Sequence, residues 1–361
     1  MALTIGIDAR AASEVQAGRG RYVRELLLAL EAHAGPLDDV QFVLYARRRW
    51  GDLDPARFTW RLHRLPDPLW HAAAAVDASR RTDVFLSTNS YLTAWMCWIP
   101  TAVVVFDLVA FLFPEEARSR AALIEKATIG LAIRRAAALA CISEATRADL
   151  IERFPASRPK TRAIPLAADP GFRTSERNPS NGEVTSGRFV LSVGTLEPRK
   201  NLERLISAWQ TLSPATRAGR SLVLVGPRGW KEAGILSAAR GEDILVTGHI
   251  DDEELRHLYR NCDCFVYPSL YEGFGLPVLE AMTAGAPVVT SNVSSLPEIA
   301  GDAALLVDPL NTLAIAAAIA KILDDPNLAA NLRELGATRA KEFSWERTAS
   351  ETLALLRSIA R

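Results

Sequence analysis

Two glutamates, Glu272 and Glu280, flank a glycine turn and are separated by seven residues. The turn contains Gly273 and Gly275, whose lack of a side chain lets the backbone approach a ligand closely. Free amides in such a turn can hold hydroxyls or phosphate oxygens. A carboxylate that accepts two vicinal hydroxyls is a common way to hold a ribose or a hexose. Each glutamate alone could equally be a solvated charge or a complement to a helix dipole, but the combination indicates a ligand site.

The elements around this turn are predicted from its flanks. Val266-Tyr267-Pro268-Ser269 is typical of the end of a buried strand, and Pro277 suits the first position of a helix. Glu280 then falls in the first helical turn, and Gly285 with Pro287 ends the helix before the strand Val288–Thr290. The helix amino terminus would face the carboxyl edge of a sheet, which favours an anion.

A second group of residues follows the first strand of the second half of the chain, in the segment Gly194-Thr195-Leu196-Glu197-Pro198-Arg199-Lys200-Asn201. Arg199 and Lys200 lie just before a helix that starts near Leu202, where the helix dipole disfavours cations unless an anion is shared. A diphosphate would supply that anion. An ordinary solvated basic pair is the alternative. Neither a Walker lysine loop nor a G-x-G-x-x-G fingerprint is present at the first turn of either half.

The composition limits the class of protein. The chain has 361 residues with 42 basic and 42 acidic side chains, so no net charge favours nucleic acid. Four scattered cysteines lack zinc or disulfide spacing and favour a reducing compartment. The amino-terminal segment resembles a first strand and no apolar run has membrane-spanning length, so we expect a soluble, cytoplasmic protein.

Short apolar strands alternate with amphipathic helices, which predicts an α/β protein with parallel, doubly wound sheets. The predicted strands are Leu3–Ile7, Gln41–Tyr45, Val84–Ser87, Ala102–Phe106 and Ala138–Ile142, then Phe189–Val193, Leu222–Val225, Ile244–Thr247, Cys264–Tyr267 and Val288–Thr290. The predicted helices of the first half are Arg21–Glu31, Ala121–Arg135 and Glu144–Arg153. The polar stretch Thr174–Gly187 interrupts the pattern and is predicted to be a linker. We therefore expect a first Rossmann-like domain over 1–173, a second over 188–342, and a last helix in 343–361 that packs back on the first domain.

Several segments together resemble retaining glycosyltransferase family 4, in particular its mannosyltransferase-like bacterial members. Glu272 and Glu280 match the E-x7-E element of that family. Further matches are Ile7-Asp8-Ala9-Arg10, Gly18-Arg19-Gly20-Arg21-Tyr22, Ile142-Ser143-Glu144, Gly194 to Asn201, Thr247-Gly248-His249 and Phe343-Ser344-Trp345-Glu346. The resemblance covers nearly the whole length and implies the GT-B fold, with two Rossmann-like domains facing a cleft.

The resemblance implies a role for each residue at the site. Glu272, with the amides of Phe274 and Gly275, would hold the hydroxyls of the donor sugar, and Glu280 would hold the ribose. Arg199 and Lys200 would neutralise the leaving diphosphate, so the candidate catalytic residues are Glu272, Lys200 and Arg199. Further candidate donor-binding residues are Thr195, Gly248, Gly273 and Leu276, with the loop at Gly226 beside the base. Gly20, Phe106 and Asp107 would lie on the acceptor side of the cleft.

The family resemblance also implies retention of configuration, a nucleotide diphosphate sugar as donor and a glycan or lipid-linked acceptor in surface polysaccharide synthesis. Guanine is favoured as the base by family habit alone. No Asp-x-Asp motif stands in a suitable loop, so no metal or other cofactor is expected. Asp251-Asp252 and Asp324-Asp325 are predicted to be helix-start charges. The alternatives are a phosphorylase and a catalytically weak nucleotide-sugar-binding subunit of a complex.

One position departs from the family pattern. The family has His-Asp after the strand at Ala102, and this chain has Phe106-Asp107. A phenylalanine would leave a 6-hydroxyl unpaired if that group were buried beside it. The hypothesis is a 6-deoxy donor sugar; the alternative is that Phe106 belongs to the strand core.

Basic residues and tryptophans of the first half suit an anionic membrane surface, where a lipid-linked acceptor would lie. They are Arg47, Arg48, Arg49, Trp50, Trp60, Trp70, Trp95 and Trp98, with Lys126, Arg134 and Arg135 on a helix over Ala121–Ala137. The alternative is that the arginines are solvated and the tryptophans are core residues. We expect peripheral contact with the inner face of the cytoplasmic membrane.

Overall fold

The computed structural model describes residues 2–15, 18–32, 39–88, 90–113, 120–173, 187–241 and 243–360, without the side chains of residues 120–122 and 125. The chain divides into a first unit, Met1–Leu166 with Ser344–Arg361, and a second unit, Ala167–Phe343. The second unit begins before the predicted linker because Phe172 packs edge-on against Tyr259 and Asp169 pairs with Arg256 at 3.1 Å. Of that linker, residues 174–186 lie outside the described ranges.

The sheet of the first unit has seven parallel strands in the order β3-β2-β1-β4-β5-β6-β7. This order is that of a Rossmann-like doubly wound sheet, with a reversal between β1 and β4. The strands are β1 (Leu3–Asp8), β2 (Val40–Ala46), β3 (Phe58–Leu62), β4 (Val84–Ser87), β5 (Thr101–Val105), β6 (Ala138–Cys141) and β7 (Thr161–Ala163).

The helices of the first unit cover both faces of its sheet. Their bounds are α1 (Arg10–Glu14), α2 (Arg19–Ala32), α3 (Leu69–Arg81), α4 (Tyr91–Met96), α5 (Val109–Leu112), α6 (Arg120–Arg135), α7 (Glu144–Arg153) and, at the end of the chain, α16 (Trp345–Ile359). Helix α16 lies on the first unit, where Trp345 packs near Tyr22 and Thr348 Oγ1 donates to the Pro165 carbonyl at 2.7 Å. In the described part of the chain, no helix is both long and apolar enough to cross a membrane.

The second unit repeats the same arrangement with six parallel strands in the order β10-β9-β8-β11-β12-β13. The strands are β8 (Arg188–Val193), β9 (Arg220–Val225), β10 (Ile244–Gly248), β11 (Cys264–Tyr267), β12 (Val288–Ser291) and β13 (Ala304–Val307). The helices are α8 (Leu202–Thr211), α9 (Pro214–Arg217), α10 (Ala233–Ala238), α11 (Asp252–Asn261), α12 (Leu276–Thr283), α13 (Leu296–Ala300), α14 (Thr312–Asp324) and α15 (Pro326–Ala340). The predicted α/β class with two Rossmann-like domains is confirmed.

The predicted strands are all present, with ends that shift by two residues at most. Three strands were missed, β3, β7 and β13, and each lies at an edge of its sheet. Edge strands are short and partly exposed, and in β3 and β7 polar residues break the apolar run that is typical of a central strand. In β3, for example, Arg61 follows Trp60 and pairs with Asp77 at 3.0 Å. Strand β13, in contrast, is a continuous apolar run, Ala304–Val307, that was not predicted. Asp251 and Asp325 cap helices, as predicted for the two acidic pairs.

A buried charged group lies at the carboxyl end of β1, beside the reversal of strand order. Asp8 is fully buried, and its Oδ1 accepts a hydrogen bond from the Arg10 amide at 3.2 Å. Its Oδ2 has no hydrogen-bond partner among the described residues. Burial raises the pKa of Asp8 to about 6, although the charge of Arg10 opposes the shift. Asp8 is therefore ionised at neutral pH at a cost to folding.

Replacement of Asp8 by asparagine is expected to raise the free energy of unfolding at pH 7 to 8 by about 2 kcal/mol. The gain should shrink as the pH falls from about 6 toward 3.8, because protonation then relieves the same cost in the parent protein. Urea unfolding across this pH range measures the difference. Asp52→Asn, at a fully exposed side chain, is the matched control and should change stability little. A gain that does not depend on pH would contradict the explanation.

Candidate active site

The glycine turn lies between β11 and α12, at the carboxyl edge of the second sheet. Helix α12 begins at Leu276, with Gly275 as its N-cap in a left-handed conformation, φ 105°. An L side chain there would be strained, and its Cβ would lie 2.8 Å from Leu296 Cδ2. Pro277 is the second helical residue and not the first as predicted.

Glu272 is held by four side chains through one of its two oxygens. Its Oε1 accepts hydrogen bonds from Lys200 Nζ at 2.6 Å, Tyr267 Oη at 2.9 Å and Ser269 Oγ at 2.6 Å. Arg199 Nη1 lies 2.9 Å from the same oxygen. Within the described residues, every hydrogen bond and ion pair of this carboxylate is made by Oε1. The other oxygen, Oε2, is therefore available to a ligand.

The electrostatics of this group keep Glu272 ionised. Burial raises the pKa of its carboxyl, but the charges of Lys200 and Arg199 outweigh burial and hold the pKa at about 2. Burial lowers the pKa of Lys200, and the nearby Glu272 carboxylate opposes that shift. The pKa of Arg199 is raised, because Glu272 and Glu197 outweigh the effect of burial. The site thus contains fixed charges of both signs.

Arg199 and Lys200 lie in a 3₁₀ turn, Pro198–Lys200, directly before α8. The turn is tied to the loop after β11, since Leu270 donates its amide to the Arg199 carbonyl at 2.8 Å. The side chain of Asn201 donates to the carbonyls of Pro268 and Pro309. The sequence predicted an external anion for the two cations; in the structure, two carboxylates of the chain already pair with them.

Glu280 lies deeper than the sequence predicted. It is the fifth residue of α12, so it falls in the second turn and not the first, and it is buried. Its Oε2 accepts a hydrogen bond from Tyr259 Oη at 3.0 Å. The tyrosine ring is fixed between Phe172 and Phe265, which lie 5.4 and 5.2 Å away by ring centroids. Glu280 is thus a preoriented carboxylate beneath the turn.

The remaining predicted donor residues also lie on loops at the carboxyl edge. Thr195 follows β8, Gly248 ends β10, and Gly273 and Phe274 precede α12. The loops after β8 and β9 touch so closely that a Cβ on Gly226 would lie 2.0 Å from the Gly194 carbonyl oxygen. The amides of Phe274 and Gly275 donate no hydrogen bond within the described ranges. They are therefore free to bind a ligand at the start of α12.

The structure places Gly20, Phe106 and Asp107 in the first unit. A Cβ on Gly20 would lie 1.7 Å from the Val15 carbonyl oxygen, so glycine is required there by packing within the unit. Phe106 is nearly buried, edge-on to Tyr22, with the Arg19 guanidinium 5.4 Å from its ring centroid. Asp107 Oδ1 accepts from the amide of Val109 at the start of α5. Each of the three therefore has a packing or capping role.

Several residues of the site were not predicted from the sequence. Tyr267 and Ser269 bond to Glu272, Tyr259 bonds to Glu280, and Ser295 Oγ donates to the carbonyls of Glu272 and Phe274. For Tyr267 and Ser269 a signal existed, because Tyr267 ends β11 and Ser269 lies in the loop that leads from this strand into the turn. Across the described ranges, no three His, Cys, Asp or Glu side chains are grouped to hold a metal ion. Independence from metal remains a prediction.

Comparison with known proteins places this site in a family. The family model described as "Glycosyl transferases group 1" matches residues 174–339. The O-antigen chain mannosyltransferase B of Escherichia coli is 35% identical over 312 residues, which are 83% of this chain and 77% of that protein. The serotype-specific mannosyltransferase WbdA of E. coli is 36% identical over 167 residues, 45% of this chain but only 20% of that protein.

A solved structure resembles the whole fold. The sucrose-phosphate synthase from Thermosynechococcus elongatus superposes with a TM-score of 0.77 and 22% identity, covering 99% of this chain and 98% of that one. At this identity the likeness establishes the fold, which is GT-B. The long match to the E. coli mannosyltransferase establishes the family. The chain belongs to the group 1 glycosyltransferases and is a transferase enzyme.

Proposed function

We propose that this enzyme is a retaining glycosyltransferase of family 4 that moves a hexose from a nucleotide diphosphate sugar to a glycan or lipid-linked acceptor in surface polysaccharide synthesis. The observation that carries the proposal is the state of Glu272. Four donors fix its Oε1, while Oε2 is left for a hydroxyl of the donor sugar. Two free amides at the start of α12 lie next to it in sequence.

The rest of the site fits the diphosphate and the ribose. Arg199 and Lys200 supply two cations beside Glu272, which suits charge that develops on a leaving diphosphate. Glu280, oriented by Tyr259, is the carboxylate for the ribose hydroxyls. With two cations available for the leaving group, the proposed reaction uses no metal.

The names of the relatives support mannose as the transferred sugar and O-antigen as the kind of product. We propose a GDP-linked donor. A transfer assay should compare GDP-mannose, UDP-glucose and dTDP-rhamnose, with an extract of lipid-linked glycans as acceptor. The proposal expects release of one nucleoside diphosphate and a product with the donor's anomeric configuration by NMR. An inverted product would contradict retention, and no turnover with any donor would contradict the function.

The hypothesis of a 6-deoxy donor sugar, which is based on Phe106, can be tested directly. Its contacts with Tyr22 and Arg19 give it a packing role within the first unit, and the related mannosyltransferases are named for a sugar with a 6-hydroxyl. Steady-state kinetics with GDP-mannose and GDP-rhamnose distinguish a 6-deoxy donor from a donor with a 6-hydroxyl. A higher kcat/KM for GDP-rhamnose would support the hypothesis, and an equal or higher kcat/KM for GDP-mannose would contradict it.

Membrane contact of the first unit is proposed through a set of residues that shares only Trp95, Trp98 and Arg134 with the set that the sequence indicated. Trp70 is fully buried, and Arg47 is paired with Glu14 and Asp67, so neither is free for a membrane. Large apolar side chains are instead exposed on the layer of α4, α5, α6 and their flanks: Trp95, Trp98, Leu112, Leu123, Ile124 and Leu131, here called the apolar helical face. Arg134 is exposed on the same helix α6.

Wild-type protein is expected to float with vesicles that contain anionic lipid. The double variant Leu123→Ser, Ile124→Ser should bind them about tenfold or more weakly, because each side chain would lose apolar area buried in the lipid. Leu310→Ser, Leu313→Ser is the matched control, since both side chains are exposed but lie in the second unit. Equal loss in both pairs, or no binding by the wild type with or without acceptor, would contradict membrane contact.

A further inference from the structure

A fourth charged residue, Glu197, completes the group around the two cations. Its Oε1 lies 2.5 Å from Arg199 Nη2, on the side of the guanidinium opposite to the nitrogen that meets Glu272. Both side chains are mostly buried, with 17% of Glu197 and 15% of Arg199 exposed. The charges of Glu197, Arg199, Lys200 and Glu272 therefore cancel in the absence of a ligand.

Among the described residues, the Glu197 carboxylate has no second role beside its contact with Arg199. It precedes the 3₁₀ turn at the N-cap position, yet its side chain makes no capping hydrogen bond. Within the described residues, its carboxylate bonds to Arg199 alone. Glu272, in contrast, is also held by Lys200, Tyr267 and Ser269. Glu197 is thus the partner that Arg199 can exchange without disturbing the rest of the site.

We infer that Glu197 is an internal competitor of the diphosphate for Arg199 and limits the affinity of the site for the nucleotide. The inference rests on the proposed function, because it concerns the diphosphate of the same donor. A diphosphate that approaches Arg199 meets a group whose net charge is zero. Without the Glu197 charge the group would carry one positive charge, and the attraction for the anion would be larger. A weaker hold on the diphosphate favours release of the product.

The replacements Glu197→Gln and Glu197→Ala test this inference against a purely positioning role. Both remove the charge, but only glutamine retains an acceptor for Arg199. If Glu197 competes with the ligand, both variants should bind the nucleoside diphosphate roughly five- to tenfold more tightly than the wild type. If it positions Arg199 instead, the alanine variant should bind more weakly. Glu253→Gln, at an exposed residue in the first turn of α11, is the control for charge alone.

Calorimetric titration of the wild type with ADP, GDP, UDP and dTDP comes first, and the tightest of them is the probe. The gain in affinity should be largest for the diphosphate, smaller for the monophosphate and absent for the nucleoside. If the alanine variant does not fold, titration of the glutamine variant with the diphosphate, the monophosphate and the nucleoside still tests the inference. Equal or weaker binding by Glu197→Gln would overturn the inference and leave the proposed function standing. No binding of any diphosphate by the wild type would overturn both.

Discussion

Replacement of Glu272 by glutamine is expected to lower the kcat of sugar transfer by about a thousandfold while the nucleoside diphosphate still binds. The amide has nearly the same shape but cannot offer a charged oxygen to the donor sugar. It also no longer neutralises Arg199 and Lys200, which contact Oε1 at 2.9 and 2.6 Å. Affinity for the diphosphate should therefore be kept or increased. Steady-state kinetics and calorimetry measure the two effects separately.

The same variant should be less stable by about 3 kcal/mol at pH 7, since the pKa of Glu272 is about 2 in the folded protein against 4.5 for a free side chain. A carboxylate with a lowered pKa stabilises the fold above its unfolded pKa, and this contribution is lost as the pH falls from 4.5 toward 2. The difference between parent and variant should therefore narrow over that range in urea unfolding. Glu253→Gln is the control. A constant difference, or unchanged kcat, would contradict the assigned role.

Replacement of Lys200 by methionine is expected to reduce kcat/KM by about a hundredfold or more. Methionine fills much of the same volume but removes the ammonium that contacts Glu272 and the Tyr267 hydroxyl at 2.6 and 2.7 Å. The diphosphate then loses a cation, and Glu272 keeps only Arg199 as a charged partner. In contrast to Glu272→Gln, this variant should lose affinity for the nucleoside diphosphate as well as turnover.

Lys341→Met provides the matched control for Lys200→Met, because Lys341 is exposed at the end of α15 and far along the chain from the site. It should retain both kcat/KM and nucleotide affinity. If Lys200→Met bound the diphosphate as tightly as the wild type does, the Lys200 ammonium would not contact the phosphates. Equal loss in both lysine variants would point to a general effect of charge.

The fold was predictable because its signals are local. Central parallel strands are continuous apolar runs, and β4 and β11 begin and end where their sequences predicted. The edge strands β3 and β7 were missed because polar residues interrupt their apolar runs, whereas β13 was missed although all four of its residues are apolar. The glycine turn and the two glutamates were likewise visible in one short segment of sequence.

The pairing within the site was not predictable from the same segment. Lys200 and Glu272 are 72 positions apart, and only the meeting of the loops after β8 and β11 shows that they bond. Sequence placed Glu280 in the first helical turn because Pro277 suggested a later helix start. Gly275 caps the helix, so the helix starts one residue earlier and Glu280 becomes its fifth residue, in the second turn. The net charge of the group around Arg199 and Lys200 is zero only because Glu197 belongs to it. In the sequence alone, Glu197 cannot be distinguished from an ordinary surface glutamate.

The central claim is that Glu272, Arg199 and Lys200 form a clamp for the donor. The most direct test is thermal unfolding of the wild type and of Lys200→Met, each in the presence of ADP, GDP, UDP or dTDP. A ligand that binds only the folded state raises the unfolding midpoint, and at a fixed ligand concentration the rise is larger for a tighter ligand. We predict that one diphosphate, GDP by our proposal, raises the midpoint of the wild type and that this rise is largely lost in Lys200→Met. No rise with any diphosphate, or the same rise in both proteins, would contradict the clamp.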